Sequence, residues 1–372
     1  MAVPWYVWCS VFAVTSAMIG AHWDISWHRS VGRDTFWTPA HIAIYLCGVL
    51  AGISSAFLVL TTTFQPASPL RKFSVRLWGF RGPLGAFIAA WGGIAMLTSA
   101  PFDDWWHNAY GLDVKIVSPP HILLILGVLA VETGALILIL GRMNRAGGRL
   151  SGSLEWLFLY VGGMIVVLLM ILLMEYTGRT QMHTARFYRV ICMFVPAVLI
   201  GVAQASGRRW ASTMVAAVYT VFLLGLLWIL PLFPAEPKLG PVYQRVTHFI
   251  PAAFPVLLIV PALVLDWLRL RLSSWSGWSR AVVYAAAFLG VLCAVQWPFA
   301  DFLMSPASRN WIFGTHYLDY NASPNSYTVR NLFVPIQSTA AFWKEMAVAL
   351  TAAILTARLG LAWGQWMQRI RR

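Results

Sequence analysis

The chain has 372 residues, of which 59% are hydrophobic and only 11% are charged, and its mean hydropathy is +0.69. Soluble domains carry about 25% charged residues, so this composition excludes a globular protein with a water-solvated surface. The net charge of +14 does not indicate a nucleic-acid partner, because most of the excess basic residues lie in short connections between apolar runs, where such residues determine membrane topology. The predicted surroundings of the chain are therefore a lipid bilayer.

Apolar runs close to the ~20 residues needed to cross a hydrocarbon core recur along the whole sequence. They predict an all-α fold, a polytopic transmembrane helix bundle of about ten spans. The predicted helices cover residues 5–28, 39–63, 82–102, 119–141, 153–175, 187–206, 212–233, 248–268, 280–304 and 341–364.

Basic residues and histidines are distributed unequally between the two sides of these predicted spans. The connections after the even-numbered spans are rich in arginine, which predicts that both termini lie in the cytoplasm and that the chain is integral to the cytoplasmic (inner) membrane. The opposite, periplasmic side carries a long outer loop at about residues 305–340 and all eight histidines. Histidine is the commonest metal ligand, so this distribution predicts a metal site at the outer face.

Two segments of the sequence repeat one pattern, Asp-x3-His-x5-Asp followed by Ser/Thr-Pro-x-His, with the second copy starting 79 residues after the first. The repeat predicts duplicated helical hairpins. It also predicts a four-span metal-binding unit at residues 1–150 and a six-span membrane unit at 151–372. The two copies consist of Asp24, His28, Asp34 and His41, and of Asp103, His107, Asp113 and His121.

The spacing within each copy suits a chelating site at the end of a helical hairpin. Residues four apart on a helix lie on one face about 6 Å apart, so the first Asp and the first His of each copy can bind one ion. Thr38 and Ser118 are predicted N-caps, with Pro39 and Pro119 at the first helical position. The last histidine of each copy is then expected in the first turn of the next helix, at the same membrane depth.

The residue types limit the metal without selecting one, because carboxylate plus imidazole suits copper, zinc or iron. The remaining aspartates of the repeat, Asp34 and Asp113, are predicted to orient the ligand imidazoles as hydrogen-bond acceptors behind them. The predicted metal ligands are Asp24, His28, His41, Asp103, His107 and His121.

A further acidic residue, Glu132, falls inside a predicted span. It stands eleven residues after His121, which places it about 16 Å deeper along a helix. A carboxylate at such a depth is costly and is usually functional. The sequence leaves two interpretations open, namely a proton relay to the metal site and a polar partner for a neighbouring helix.

The first copy resembles the copper-site segment of the C subunit of the membrane-bound methane and ammonia monooxygenases. In that family one copper is bound by an aspartate, by a histidine four residues further on and by a histidine thirteen residues after that. The family segment also contains the motifs Arg-Asp-Thr and Thr-Pro-x-His, and both occur here. This sequence has Arg33-Asp34-Thr35 and Thr38-Pro39-Ala40-His41. The resemblance implies a copper ion bound by Asp24, His28 and His41.

The second copy is similar to the neighbouring segment of the same subunit, which has Asn-x3-His and, fourteen residues after that histidine, a Pro-x-His. The resemblance implies a second copper site formed by Asp103, His107 and a shared His41. Asp103 replaces the family's asparagine, and its charge should strengthen the binding of a divalent ion. The resemblance covers residues 10–141, and residues 150–372 match no subunit of the family.

Three functions are compatible with these features. The first is a copper-dependent monooxygenase, or a subunit of one, that acts with dioxygen on a small apolar or neutral molecule and takes reductant from quinol or a periplasmic redox partner. The second is a metal-handling protein that captures copper or zinc for delivery. The third is a non-catalytic subunit of a larger complex, in a homo- or hetero-oligomer.

Overall fold

The protein is described by a computed structural model that covers residues 2–32, 34–111, 117–146, 148–238, 246–314 and 334–371. Within these ranges the structure is mainly helical with one short two-stranded sheet, which confirms the predicted all-α class. The helices are α1 (Trp5–Ser30), α2 (Pro39–Phe64), α3 (Leu84–Tyr110), α4 (Pro119–Met143), α5 (Gly148–Leu172), α6 (Met174–Thr177), α7 (Ala185–Cys192), α8 (Val195–Ser206), α9 (Ala211–Ile229), α10 (Ile259–Arg271), α11 (Gly277–Leu303) and α12 (Thr339–Met367). Short 3₁₀ turns lie at Arg71–Phe73, Arg179–Gln181, Leu230–Leu232 and Pro306–Ser308.

A small hairpin interrupts the basic connection between α2 and α3, which the sequence had predicted only as a loop. Strands β1 (Val75–Leu77) and β2 (Phe80–Gly82) pair antiparallel. The turn residues Trp78 and Gly79 have φ angles of 48° and 88°, and two consecutive positive φ angles match the twist of a tight hairpin.

Eight helices of the described residues are long and apolar enough to cross a membrane, rather than the ten that were predicted. Proline explains one of the two differences. Residues 248–268 were predicted to form one helix, but the observed helix is Ile259–Arg271. Pro251 and Pro255 explain the later start, because proline lacks an N–H and disfavours helical backbone at the preceding residue. The other predicted span, α1, does form a long helix, but its tryptophans and polar residues dilute its apolar run.

The chain forms two compact units, of which the first comprises Met1–Asp24, Asp34–Leu168 and Trp366–Arg372. The predicted boundary at residue 150 falls near the start of α5, eighteen residues before Leu168. In this unit α3 and α4 pack at the level of their backbones. A Cβ atom on Gly92 would lie 2.5 Å from the Gly127 carbonyl oxygen, and one on Gly134 would lie 2.6 Å from that of Gly85. Such close approach requires residues without side chains.

The α1 and α2 helices make a similar close contact nearer the start of the chain. A Cβ atom on Gly20 would lie 2.8 Å from the Ile44 nitrogen and 2.9 Å from the Ala40 carbonyl oxygen. The Ser16 hydroxyl donates a hydrogen bond to the Ala43 carbonyl over 2.7 Å. Asp24 lies one helical turn after Gly20, so this contact brings Asp24 to the N-terminal end of α2.

The second unit comprises Ile25–Arg33 and Leu169–Gln365. One of its organising contacts is Asp266 in α10, whose carboxylate accepts hydrogen bonds from the backbone N–H groups of Ser212 and Thr213 over 3.1 and 2.8 Å. These are orphan donors in the first turn of α9, so the carboxylate caps that helix from another helix. Most of the long outer loop predicted at 305–340 lies outside the described residues.

Candidate metal site

The first copy of the repeat gathers its side chains where α1 and α2 meet. The Nε2 atom of His41 lies 3.1 Å from an Asp24 carboxylate oxygen and 3.3 Å from an Asp34 carboxylate oxygen. Along the segment 24–34, the donor atoms of Asp24, His28 and Asp34 lie within 4.8 Å of one another. These four residues are called the first cluster. Asp34, which was predicted to stand behind the ligands, offers its oxygen among them.

The second copy gathers its side chains where α3 and α4 meet. An Asp103 carboxylate oxygen lies 3.5 Å from His107 Nε2 and 3.4 Å from His121 Nε2. The two imidazole rings are nearly perpendicular, at 79°, with centroids 6.5 Å apart. These three residues are called the second cluster. Its geometry depends on α3 running on to Tyr110, eight residues beyond the predicted end of that helix.

The prediction of how the α2 and α4 helices begin is correct for the prolines and for the N-cap positions of Thr38 and Ser118, but the expected capping hydrogen bonds are not formed. Pro39 and Pro119 are the first helical residues, as expected. Neither Thr38 nor Ser118 forms a side-chain hydrogen bond to its helix. The Thr38 hydroxyl instead accepts a hydrogen bond from the Thr35 N–H over 2.8 Å, so it tightens the turn that carries Asp34 towards His41.

The three donor atoms of the second cluster lie close enough together to share one ion. The Asp103 oxygen and His107 Nε2 that face each other are buried, and within the described residues neither has a hydrogen-bond partner. Buried polar atoms without partners are unfavourable, and a cation between them removes that cost. Ligand bonds of 2.0–2.2 Å in a tetrahedral site place donor atoms roughly 3.4 Å apart, close to the 3.4 and 3.5 Å observed. Carboxylate plus imidazole therefore fits copper, zinc or iron in position as well as in type.

The predicted sharing of His41 between two sites stays a prediction, and the closest contacts divide the histidines between the clusters. His41 forms close contacts with both carboxylates of the first cluster, whereas His121 completes the second cluster beside Asp103. Asp103 nevertheless interacts electrostatically with His41 and Asp34 of the first cluster.

Tyr45 adjoins both clusters and was missed by the sequence analysis. Its ring centroid lies 6.1 Å from that of His41, one turn earlier on α2. Its phenol interacts electrostatically with carboxylates of both copies, including Asp103 and Asp24. The four-residue spacing from His41 could have indicated it, because residues so spaced share one face of a helix.

The remaining predicted residues fall outside the two clusters. Asp113 lies outside the described residues. Glu132 is completely buried in α4, and no described residue forms a hydrogen bond with either of its carboxylate oxygens. In the second compact unit His183 Nε2 lies 3.1 Å from an Asp301 oxygen, a pair that the sequence did not predict.

Comparison of the chain with protein-family models, with curated proteins and with solved structures finds no match.

Proposed function

We propose that this chain is an integral membrane protein that binds copper at the first and second clusters. We further propose that it acts as a monooxygenase, or as a subunit of one, on a small apolar or neutral molecule. The observation that supports copper binding best is the Asp103 carboxylate oxygen, which faces two imidazole nitrogens at 3.4 and 3.5 Å with no hydrogen bond from the described residues.

Each cluster would hold one ion. The ligands in the second cluster would be Asp103, His107 and His121. The ligands in the first cluster would be Asp24, His28, Asp34 and His41. Bound copper would supply the redox chemistry that activates dioxygen. The protein would hold the donor side chains in place, since both clusters lie at the ends of helices whose backbones pack closely at glycine residues.

The distribution of charge in the first compact unit supports the proposed orientation. The clusters lie at the N-terminal ends of α2 and α4 and at the C-terminal end of α3. The opposite ends of α2 and α3 are joined by the basic hairpin, and the opposite end of α4 carries Arg142. Basic connections favour the cytoplasm, so the clusters would face the periplasm and the termini the cytoplasm of the inner membrane.

Metal analysis of the detergent-purified chain by mass spectrometry and EPR tests copper binding. We expect about two copper ions per chain after reconstitution, with each ligand histidine required for one of them, because a three-donor site loses most of its affinity with one donor. His41→Ala and His107→Ala should each reduce the content to about one ion. His248→Ala is the matched control, since this exposed histidine is not among the donors of either cluster. A wild-type chain that retains no metal would refute the proposal.

Oxygen consumption with a membrane-delivered reductant separates the enzyme from the metal-handling alternative. A monooxygenase should consume dioxygen only when copper and an oxidisable small molecule are both present, and His107→Ala should abolish this consumption. Transfer of copper to an acceptor protein without oxygen consumption would favour capture and delivery instead. Both outcomes keep the clusters as metal sites and decide what the bound ions do.

A further inference from the structure

Glu132 is an acidic side chain at the centre of a predicted membrane span. It stands thirteen residues after Pro119 and eleven before Met143, which is about 20 Å and 16 Å from the two ends of α4 at 1.5 Å per residue. No part of its side chain is exposed. All residues from Gly134 to Gly141 on the same helix are buried as well, so protein surrounds this half of α4 on every face.

The surroundings of Glu132 offer nothing that would stabilise a negative charge. Within the described residues neither carboxylate oxygen receives a hydrogen bond, and no cationic side chain forms an ion pair with it. The titratable neighbour that interacts with it electrostatically is Cys47 of α2, a neutral thiol that is itself buried. An ionised carboxylate without partners in such a medium is strongly unfavourable, and the group takes up a proton instead.

Asp266 is a second fully buried carboxylate of this protein, and its surroundings differ from those of Glu132. Like Glu132, it has no exposed surface. It accepts hydrogen bonds from two backbone N–H groups and from the Thr213 hydroxyl at 2.8–3.1 Å, and an Arg269 nitrogen lies 3.9 Å away. Glu132 has none of these partners among the described residues, so of the two equally buried carboxylates only that of Asp266 has donors that would stabilise a negative charge.

We propose that Glu132 is a proton-binding site in the membrane interior, neutral at neutral pH and able to exchange its proton with water. The two carboxyl oxygens have no hydrogen-bond partner within the described residues, so the group's capacity to donate and to accept is not taken up by a fixed contact. A purely structural role at this position would be served as well by an apolar residue, without the cost of burying a polar group. The site does not depend on the metal proposed above, since it lies about 16 Å along α4 from His121.

Infrared difference spectroscopy of the metal-free chain tests the proposal. The spectrum of the wild type minus that of Glu132→Gln should contain the carbonyl stretching band of a protonated carboxylic acid, and this band should move to lower frequency in D2O. Absence of the band would show an ionised group and overturn the proposal. A band that does not move after prolonged exposure to D2O would show that the proton does not exchange with water, and it would overturn the proposed exchange.

Glu155→Gln is the matched control, because Glu155 is half-buried near the start of α5 and its removal should alter only carboxylate bands. Glu132→Asp should keep the acid band at a shifted frequency, and it supplies the comparison if the glutamine variant does not fold. Since all samples are free of metal, a failure of copper binding at the two clusters leaves this result unaffected.

Discussion

The two clusters arise from one sequence pattern but differ in their donor arrangement. In the first, two carboxylates approach a single imidazole, that of His41, at 3.1 and 3.3 Å. In the second, one carboxylate stands between the imidazoles of His107 and His121. A repeated motif therefore fixes which donor side chains are available. The conformation of the chain between the two halves of the motif determines which of these side chains come into contact.

The local chain explains the difference. In the first copy α1 ends at Ser30, and the turn that follows carries Asp34 back to His41. In the second copy α3 continues to Tyr110 and keeps Asp103 and His107 on one helical face. Imidazole-rich sites favour copper and zinc, whereas added carboxylates admit harder ions. We therefore expect the second cluster to be the more selective for copper.

The largest effect is expected from removing the carboxylate of the second cluster. Asp103→Ala should lower the copper affinity of that cluster by more than about 100-fold, because loss of outer-shell partners alone costs 10–100-fold. Isothermal titration should show one tight ion, bound by the first cluster. Retention of two tight ions would contradict the assignment of Asp103 as a ligand.

A smaller effect is expected in the first cluster, where a second carboxylate remains. Asp34→Ala should weaken copper binding there by about 10- to 100-fold, because Asp24 still lies 3.1 Å from His41. The same titration measures it, with the second cluster as the internal reference. An unchanged affinity would return Asp34 to the role of an outer residue, as the sequence had predicted.

The glycine contacts should affect each cluster through its own hairpin. Gly20→Ala and Gly92→Ala insert a methyl group 2.5–2.9 Å from backbone atoms of the neighbouring helix, and such overpacking costs about 1–2 kcal/mol. Thermal unfolding in detergent should show the loss. Gly52→Ala on α2 is the control, because a Cβ atom there meets nothing within 4 Å. Equal stability of all three variants would show that the hairpins are not held by backbone contact.

The smallest effect is expected at Tyr45, the residue between the clusters. Tyr45→Phe keeps the ring beside His41 and removes the phenol hydroxyl, which should change copper affinity by no more than about 1 kcal/mol. EPR should nevertheless show altered signals from both copper ions. A change confined to one signal would show that Tyr45 belongs to a single cluster.

Much of the local structure was predictable because it depends on short-range patterns. Hydrophobic length indicated most of the helices, and Pro39 and Pro119 marked the starts of two of them within one residue. The break before Ile259 could also have been inferred from Pro251 and Pro255. The Asp103-x3-His107 spacing implied helix beyond residue 102, but hydropathy gave no signal for the end of α3 at Tyr110.

The amino-acid pattern alone indicated an apolar helical chain and supplied the six residues that we propose as ligands, because hydropathy and residue spacing are properties of the chain alone. The tertiary structure decided which donors meet, including the pairing of His121 rather than His41 with Asp103. It also decided that Glu132 lacks partners while Asp266 has several. These outcomes depend on how closely helices approach and in what register, and that is set by contacts between residues far apart in the chain.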